Sequence, residues 1–218
     1  MYKINLYILS FLSIVSVVFA QATDPKGLCL ETGGKFYALE DCSPCPENAV
    51  CETCFTGCQC TNNFVFDDSI GCVNFSDLIK KATYIRYHGI NPSHEESETA
   101  QTAMNELKAH KLAVTKWILN ALTWQRRLDD TYEVMPYGTV LWELGPDVVT
   151  EVIGEVAGCP EEIQMDGLYV LEMCANTPSY CRDSKEQVRF LLEKFLAANN
   201  SDRVRQEASK ILSRINVK

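Results

Sequence analysis

The sequence predicts a small disulfide-rich module of short β-strands with little helix, followed by an all-α helical domain. Three observations carry this prediction. Eight of the 11 cysteines fall between Cys29 and Cys72, in a stretch rich in Gly, Pro, Asn and Asp. From Ser93 onward, apolar residues recur at helical spacing. The first 20 residues have the layout of an export signal, and export supplies the oxidising compartment in which clustered cysteines become bridges. The expected division is a signal peptide over 1–20, a cysteine-rich module over 23–75, a linker over 76–92 and a helical domain over 93–218.

Lys3 gives the signal its positive start, LYILSFLSIVSVVF from Leu6 to Phe19 is its apolar run, and Val18-Phe19-Ala20 places small residues at a cleavage site. The run is shorter than the roughly 20 residues a membrane span needs. Roughly 200 residues then remain, enough for one large or two small domains. No later segment is long and apolar enough to span, so the mature chain is expected to carry no membrane span and to be secreted and extracellular. No retention tetrapeptide ends the chain at Ile215-Asn216-Val217-Lys218. The net charge of −9 argues against nucleic acid or anionic membrane as partner through a broad basic face. Asn74-Phe75-Ser76 and Asn199-Asn200-Ser201 are glycosylation sequons at Asn74 and Asn199, consistent with export.

A module of about 50 residues cannot bury a large core, so cross-links must hold it. Phe64-Val65-Phe66 followed by Asp67-Asp68-Ser69-Ile70-Gly71 reads as a strand entering a turn. Cys42-x2-Cys45 and Cys51-x2-Cys54 have the spacing of zinc ligands. The five-residue gap between the pairs is tight for a finger, and the compartment is oxidising, so disulfides are expected and no metal or cofactor. Cys42-Ser43-Pro44-Cys45 lacks the α/β context in which such a pair is redox-active.

In the helical part, Ser93-His94-Glu95-Glu96 is a capping box. Ala100, Ala103, Met104, Leu107, Val114, Trp117, Ile118, Ala121 and Leu128 form a stripe behind it, in one long helix or in two with a bend. Met135-Pro136 and Gly138 interrupt the pattern. Gly145-Pro146-Asp147 can start a helix running to about Ala157, and Pro160 suits the first turn of the next, with Ile163, Leu168, Leu171 and Cys174 inward and Pro178 ending it. Ser184 can cap a further helix and Ser201 or Asn200 the last. A helix from Pro160 to Cys174 separates its ends by about 20 Å, which excludes a Cys159–Cys174 bridge. Cys174 and Cys181 flank the Pro178 turn and can close, which leaves Cys159 over, either free, joined to another chain, or bridged to a cysteine outside the helical domain.

No catalytic signature stands out, and no enzyme is expected. His94 and His110 lie near Glu95, Glu96 and Glu106 in sequence but lack tight ligand spacing, so solvated histidines are expected. There is no Gly-x-Ser-x-Gly and no phosphate-cradling loop.

CETCFTGCQCTNNFVFDDSIGCV, Cys51 to Val73, resembles the second half of a trypsin-inhibitor-like domain. Gly57-Cys58-Gln59-Cys60 and Gly71-Cys72-Val73 match that family's signature, and Cys42-x2-Cys45 matches the spacing of its second and third cysteines. The resemblance implies bridges Cys29–Cys58, Cys42–Cys54, Cys45–Cys51 and Cys60–Cys72, with the family's fifth bridge missing as a complete pair. EGF-like modules also use Cys-x-Cys and remain an alternative. The family implies inhibition of an extracellular serine protease by a loop pre-organised between bridges. The corresponding loop spans 46–54, with Glu52, Thr53 and Cys54 around the expected scissile bond. It is shorter than the family's, and Glu47 and Glu52 suit few protease pockets.

EEIQMDGLYVLEMCAN and DRVRQEASKILSRI, within 160–215, resemble armadillo or HEAT repeats, although a plain helical bundle gives the same pattern. That resemblance implies a helical surface for binding protein. The expected function is therefore a secreted protein-binding protein. Its alternatives are an extracellular serine protease inhibitor and an armadillo-like cofactor of a chaperone in the lumen of the endoplasmic reticulum.

Overall fold

The computed structural model describes residues 24–38, 57–61, 63–88, 92–123 and 133–217. The first described element is a short helix, α1 (Pro25–Glu31). The Asp24 carboxylate caps it by accepting from the Lys26 amide, and Pro25 occupies its first turn. Two antiparallel pairs follow. β1 (Lys35–Tyr37) pairs with β2 (Gly57–Gln59), with Phe36 opposite Cys58. β3 (Val65–Asp67) pairs with β4 (Gly71–Val73), with Phe66 opposite Cys72. Gly71 at φ +81° closes the β3–β4 turn, and an added Cβ there would lie 2.5 Å from Thr32 Cγ2. Short strands, turns and one helix thus make up the described module.

The expected linker over 76–92 is instead largely a helix, α2 (Ser76–His88). The Asn74 carboxamide oxygen accepts from the Ser76 amide at its start. Phe75, Leu78, Ile79 and Ala82 recur at helical spacing, and Phe75 and Ile79 are buried. Such a stripe is buried against α3 and α5, so the segment packs where a linker would be solvated.

The capping box at Ser93 forms in both directions and starts α3 (His94–Ala109): Ser93 Oγ accepts from the Glu96 amide, and Glu96 Oε2 accepts from the Ser93 amide. The following stripe divides into two helices. The chain bends at His110 and continues as α4 (Lys111–Thr123), which buries Val114, Trp117, Ile118 and Ala121. Leu128 lies outside the described residues.

A further correction concerns Met135-Pro136 and Gly138, which lie within a helix, α5 (Val134–Leu144). Pro136 is at the third helical position, where an amide would have no intrahelical acceptor, so its missing N–H costs nothing. Gly138 is a contact residue: a Cβ added there would lie 2.6 Å from Met173 Sδ. Four more helices complete the body: α6 (Pro146–Val156), α7 (Glu161–Asn176), α8 (Lys185–Phe195) and α9 (Asp202–Val217). Ser201 Oγ caps α9 through the Val204 amide. Asn200 instead fastens the end of α8, donating to the Lys194 and Phe195 carbonyls while accepting from Gln164 of α7. Ser184 holds the N-cap position of α8 but its hydroxyl makes no capping bond, because its backbone (φ −126°, ψ 16°) lies outside the extended region from which a cap reaches back.

The described chain is mostly helical, with a few short strands. One apolar core runs from Val65 and Phe75 through Trp117, Leu141, Ile153 and Leu171 to Ile215. The cysteine-rich hairpin β3–β4 contributes to that core, so the two parts are packed on one another. Among the described residues, three disulfides, Cys29–Cys58, Cys60–Cys72 and Cys174–Cys181, indicate an oxidising extracellular or luminal setting. Among the described residues, no helix is long and apolar enough to cross a membrane.

Candidate functional site

Where the β3–β4 hairpin meets the α3–α4 corner, the chain forms an open cleft of about 760 Å³. One wall is Gln59, Phe64 and Asp68 of the module. The other is Leu112, Lys116 and Asn120 of α4. Leu112 is 74% exposed and Phe64 40% exposed, although both are apolar. The cleft thus offers two accessible apolar side chains among polar groups of both signs.

Two attachments fix its walls. The Trp117 indole N–H donates to the Asn63 carbonyl at 2.9 Å, and Asn63 has a left-handed backbone (φ 67°). Trp117 also packs edge-on against Tyr137, with centroids 5.8 Å apart. In the second attachment, His110 Nδ1 lies 3.0 Å from Asp67 Oδ2, with both side chains largely buried (17% and 13% exposed). The other Asp67 oxygen accepts from the Ser69 amide at 2.8 Å, the Ile70 amide at 3.3 Å and the Ser69 hydroxyl. Burial works to raise the Asp67 pKa. The Ser69 hydroxyl and amide, and then His110 by hydrogen bond and charge, outweigh it and hold the carboxyl below its ordinary value.

Asp67, Ser69 and His110 are the residue types of a nucleophilic triad, but their arrangement differs from one. A triad needs the carboxylate on one imidazole nitrogen and the hydroxyl on the other. Here both approach Nδ1, Ser69 Oγ only to 3.5 Å, and the hydroxyl donates to the carboxylate itself. The cluster pins the hairpin turn to the helical corner.

Two cysteines of the module, Cys58 and Cys60, line the cleft themselves. Cys29 on α1 is joined to Cys58 on β2, and Cys60 to Cys72 on β4. Cys58 Sγ and Cys72 Sγ, of different bridges, are 3.6 Å apart. Cys58, Cys60 and Cys72 have the mutual spacing of metal ligands, but their sulfurs are spent in disulfides and have no thiolate to offer a metal. Cys174 and Cys181 are joined across the turn after α7. The Cys159 thiol is half-buried and donates to the Glu155 carbonyl at 3.6 Å.

The other expected site residues are placed as follows. Glu52, Thr53 and Cys54 of the anticipated inhibitory loop, and Cys42, Cys45 and Cys51, lie outside the described residues. Asn74 is half-buried as the α2 cap, and Asn199 is exposed. His94 pairs with Glu98 at 3.2 Å on the exposed start of α3, a full helix away from His110, so the two share no site. The cleft residues were not singled out as a site by the sequence. The available signals were the Asp-x-Ser turn at Asp67 and the histidine that breaks the α3–α4 stripe. No family model, curated protein or solved structure matches the chain.

Proposed function

We propose that the protein is a secreted, extracellular protein-binding protein that takes an apolar side chain of its partner into the cleft between the cysteine-rich hairpin and α4. The observation that carries this reading is the exposure of Leu112 and Phe64 on facing walls held by the Asp67–His110 and Trp117–Asn63 attachments. Exposed apolar groups on a pre-organised surface are the form of a binding hot spot, since little ordering is left to be done on association. Lys116 and Asp68 at the rim supply charges that orient a partner. Helices α6 and α7 pack against α4 and give that wall of the cleft a stiff support.

The test is site-directed photo-crosslinking in cells that export the protein. A crosslinker at Leu112 is expected to give a discrete protein adduct that Phe64→Asp abolishes, while one at Phe190 on α8, which is also apolar and exposed, gives none. The same adduct from both positions, or none from either, contradicts the reading.

Serine protease inhibition is the second reading. It is favoured by the Cys29–Cys58 and Cys60–Cys72 bridges, which are two of the pairs that the trypsin-inhibitor-like resemblance implies. Titration of trypsin, chymotrypsin, elastase and subtilisin with the full chain tests it. Stoichiometric inhibition abolished by a change at Thr53 supports an inhibitor, and full residual activity throughout rules these proteases out as targets.

A further inference from the structure

The two bridges of the module are packed sulfur against sulfur. Cys58 Sγ of one lies 3.6 Å from Cys72 Sγ of the other. Gly34 shows how closely they share space: a Cβ at that position would lie 2.6 Å from Cys58 Sγ, 2.7 Å from Cys29 Sγ and 2.8 Å from Cys72 Sγ. Three sulfurs of two bridges thus border one point that only glycine leaves open. Thiol–disulfide exchange requires a thiolate to reach a sulfur of another bridge, and here that approach is already made.

We propose that the Cys58–Cys72 contact is a thiol–disulfide exchange site that takes a small-molecule thiol as co-reactant and converts the two bridges into a single Cys58–Cys72 bridge. Cys29 is fully buried, whereas Cys58, Cys60 and Cys72 are half-buried, and the exchange starts when an external thiolate enters at Cys60. It attacks Cys60 Sγ, forms a mixed disulfide there and breaks the Cys60–Cys72 bond, whose electron pair leaves on Cys72. The Cys72 thiolate attacks the neighbouring Cys58 Sγ, forming Cys58–Cys72 and breaking Cys29–Cys58. The pair leaves on Cys29, which takes a proton from water. A second thiol then attacks the mixed disulfide, leaving as the oxidised dimer and returning Cys60 as a thiol. In sum, two small thiols are oxidised to one disulfide, and two protein bridges become one bridge and two thiols.

The consequence is selective. Cys60–Cys72 and Cys58–Cys72 both tie the β2 region to β4, so the hairpins stay joined. Cys29–Cys58 is the bridge between α1 and β2, and exchange releases it. The site is therefore a redox-controlled fastening of α1; Cys58 and Cys60 also line the cleft, but the exchange itself needs no cleft partner.

The test uses the full-length chain carrying Cys60→Ser, which leaves the Cys72 thiol beside an intact Cys29–Cys58 bridge. After alkylation and digestion without reduction, the label is expected on both Cys72 and Cys29, with a matching Cys58–Cys72 peptide. Label on Cys72 without Cys29, or label spread to Cys42, Cys45, Cys51 or Cys54, overturns the proposal. The native chain, treated with limiting glutathione and trapped early, keeps the test decisive if the variant loses its helical circular dichroism. The expected products are then a Cys29 thiol together with Cys60 carrying glutathione, or Cys60 as a thiol once a second glutathione has attacked. The pair Cys60 and Cys72, or the pair Cys29 and Cys58, means plain reduction and refutes exchange.

Discussion

Replacing Asp67 by Ala tests the attachment between module and helices. The change removes the acceptor of two turn amides, the Ser69 hydroxyl and His110. The turn amides are exposed and water can replace the carboxylate there, so each contributes at the low end of about 0.5–1.5 kcal/mol. The largely buried contact with His110 is a hydrogen bond to a charged group, worth about 1.5–3 kcal/mol. These terms are coupled, and the expected loss is about 2–3 kcal/mol. Urea unfolding followed by far-ultraviolet circular dichroism measures it, with the midpoint lowered and the slope unchanged. The pH dependence follows from the depressed Asp67 pKa. A carboxyl depressed in the folded state contributes stability that is fully present above its unfolded pKa of about 3.9 and lost as pH falls through the folded value. The native chain should therefore lose its advantage over Asp67→Ala in acid below that unfolded value, and keep it at neutral pH. A neutral-pH difference under about 0.5 kcal/mol, or one that grows with acidification, refutes the reasoning.

Three further outcomes are expected. Gly34→Ala forces a Cβ against three sulfurs and should cost about 1–3 kcal/mol by overpacking, read as a lower midpoint in urea. Replacing Cys174 and Cys181 together by Ala opens a bridge of sequence separation 7, and loop-closure entropy puts the loss at about 2–3 kcal/mol, read as a lower Tm. Trp142→Phe removes a buried N–H bond to the Val170 carbonyl at 2.9 Å and part of the stack on Tyr180; it should cost about 1–3 kcal/mol in the same urea experiment.

Where local rules decide structure, the sequence was readable. Ser93 and Glu96 announce the start of α3, Gly145-Pro146 the start of α6, and Pro160 and Pro178 bracket α7. Reading failed where a neighbour far along the chain decides. Pro136 and Gly138 look like breakers until the Met173 side chain is seen packed against Gly138 and Pro136 is counted within the first helical turn. The α2 segment passes for a linker because its inward set is short and acquires meaning only against α3 and α5. The cleft was invisible for the same reason: Asp67 and His110 are 43 residues apart, Asn63 and Trp117 are 54 apart, and no local pattern pairs them. Trp117 read as a core residue and is one, at 2% exposure; its indole N–H does the joining.

The central claim is that the cysteine-rich hairpin is a fixed wall of the helical body, which gives the binding cleft its shape. Native-state hydrogen exchange on the full chain, with and without Trp117→Phe, tests it most directly. If the claim holds, amides of β3–β4 and of α4 open with similar free energies, and Trp117→Phe lowers both by about 1–3 kcal/mol. A hairpin that exchanges far more readily than α4, with the substitution weakening α4 alone, would contradict it: the cleft would then be a chance juxtaposition of two independent parts.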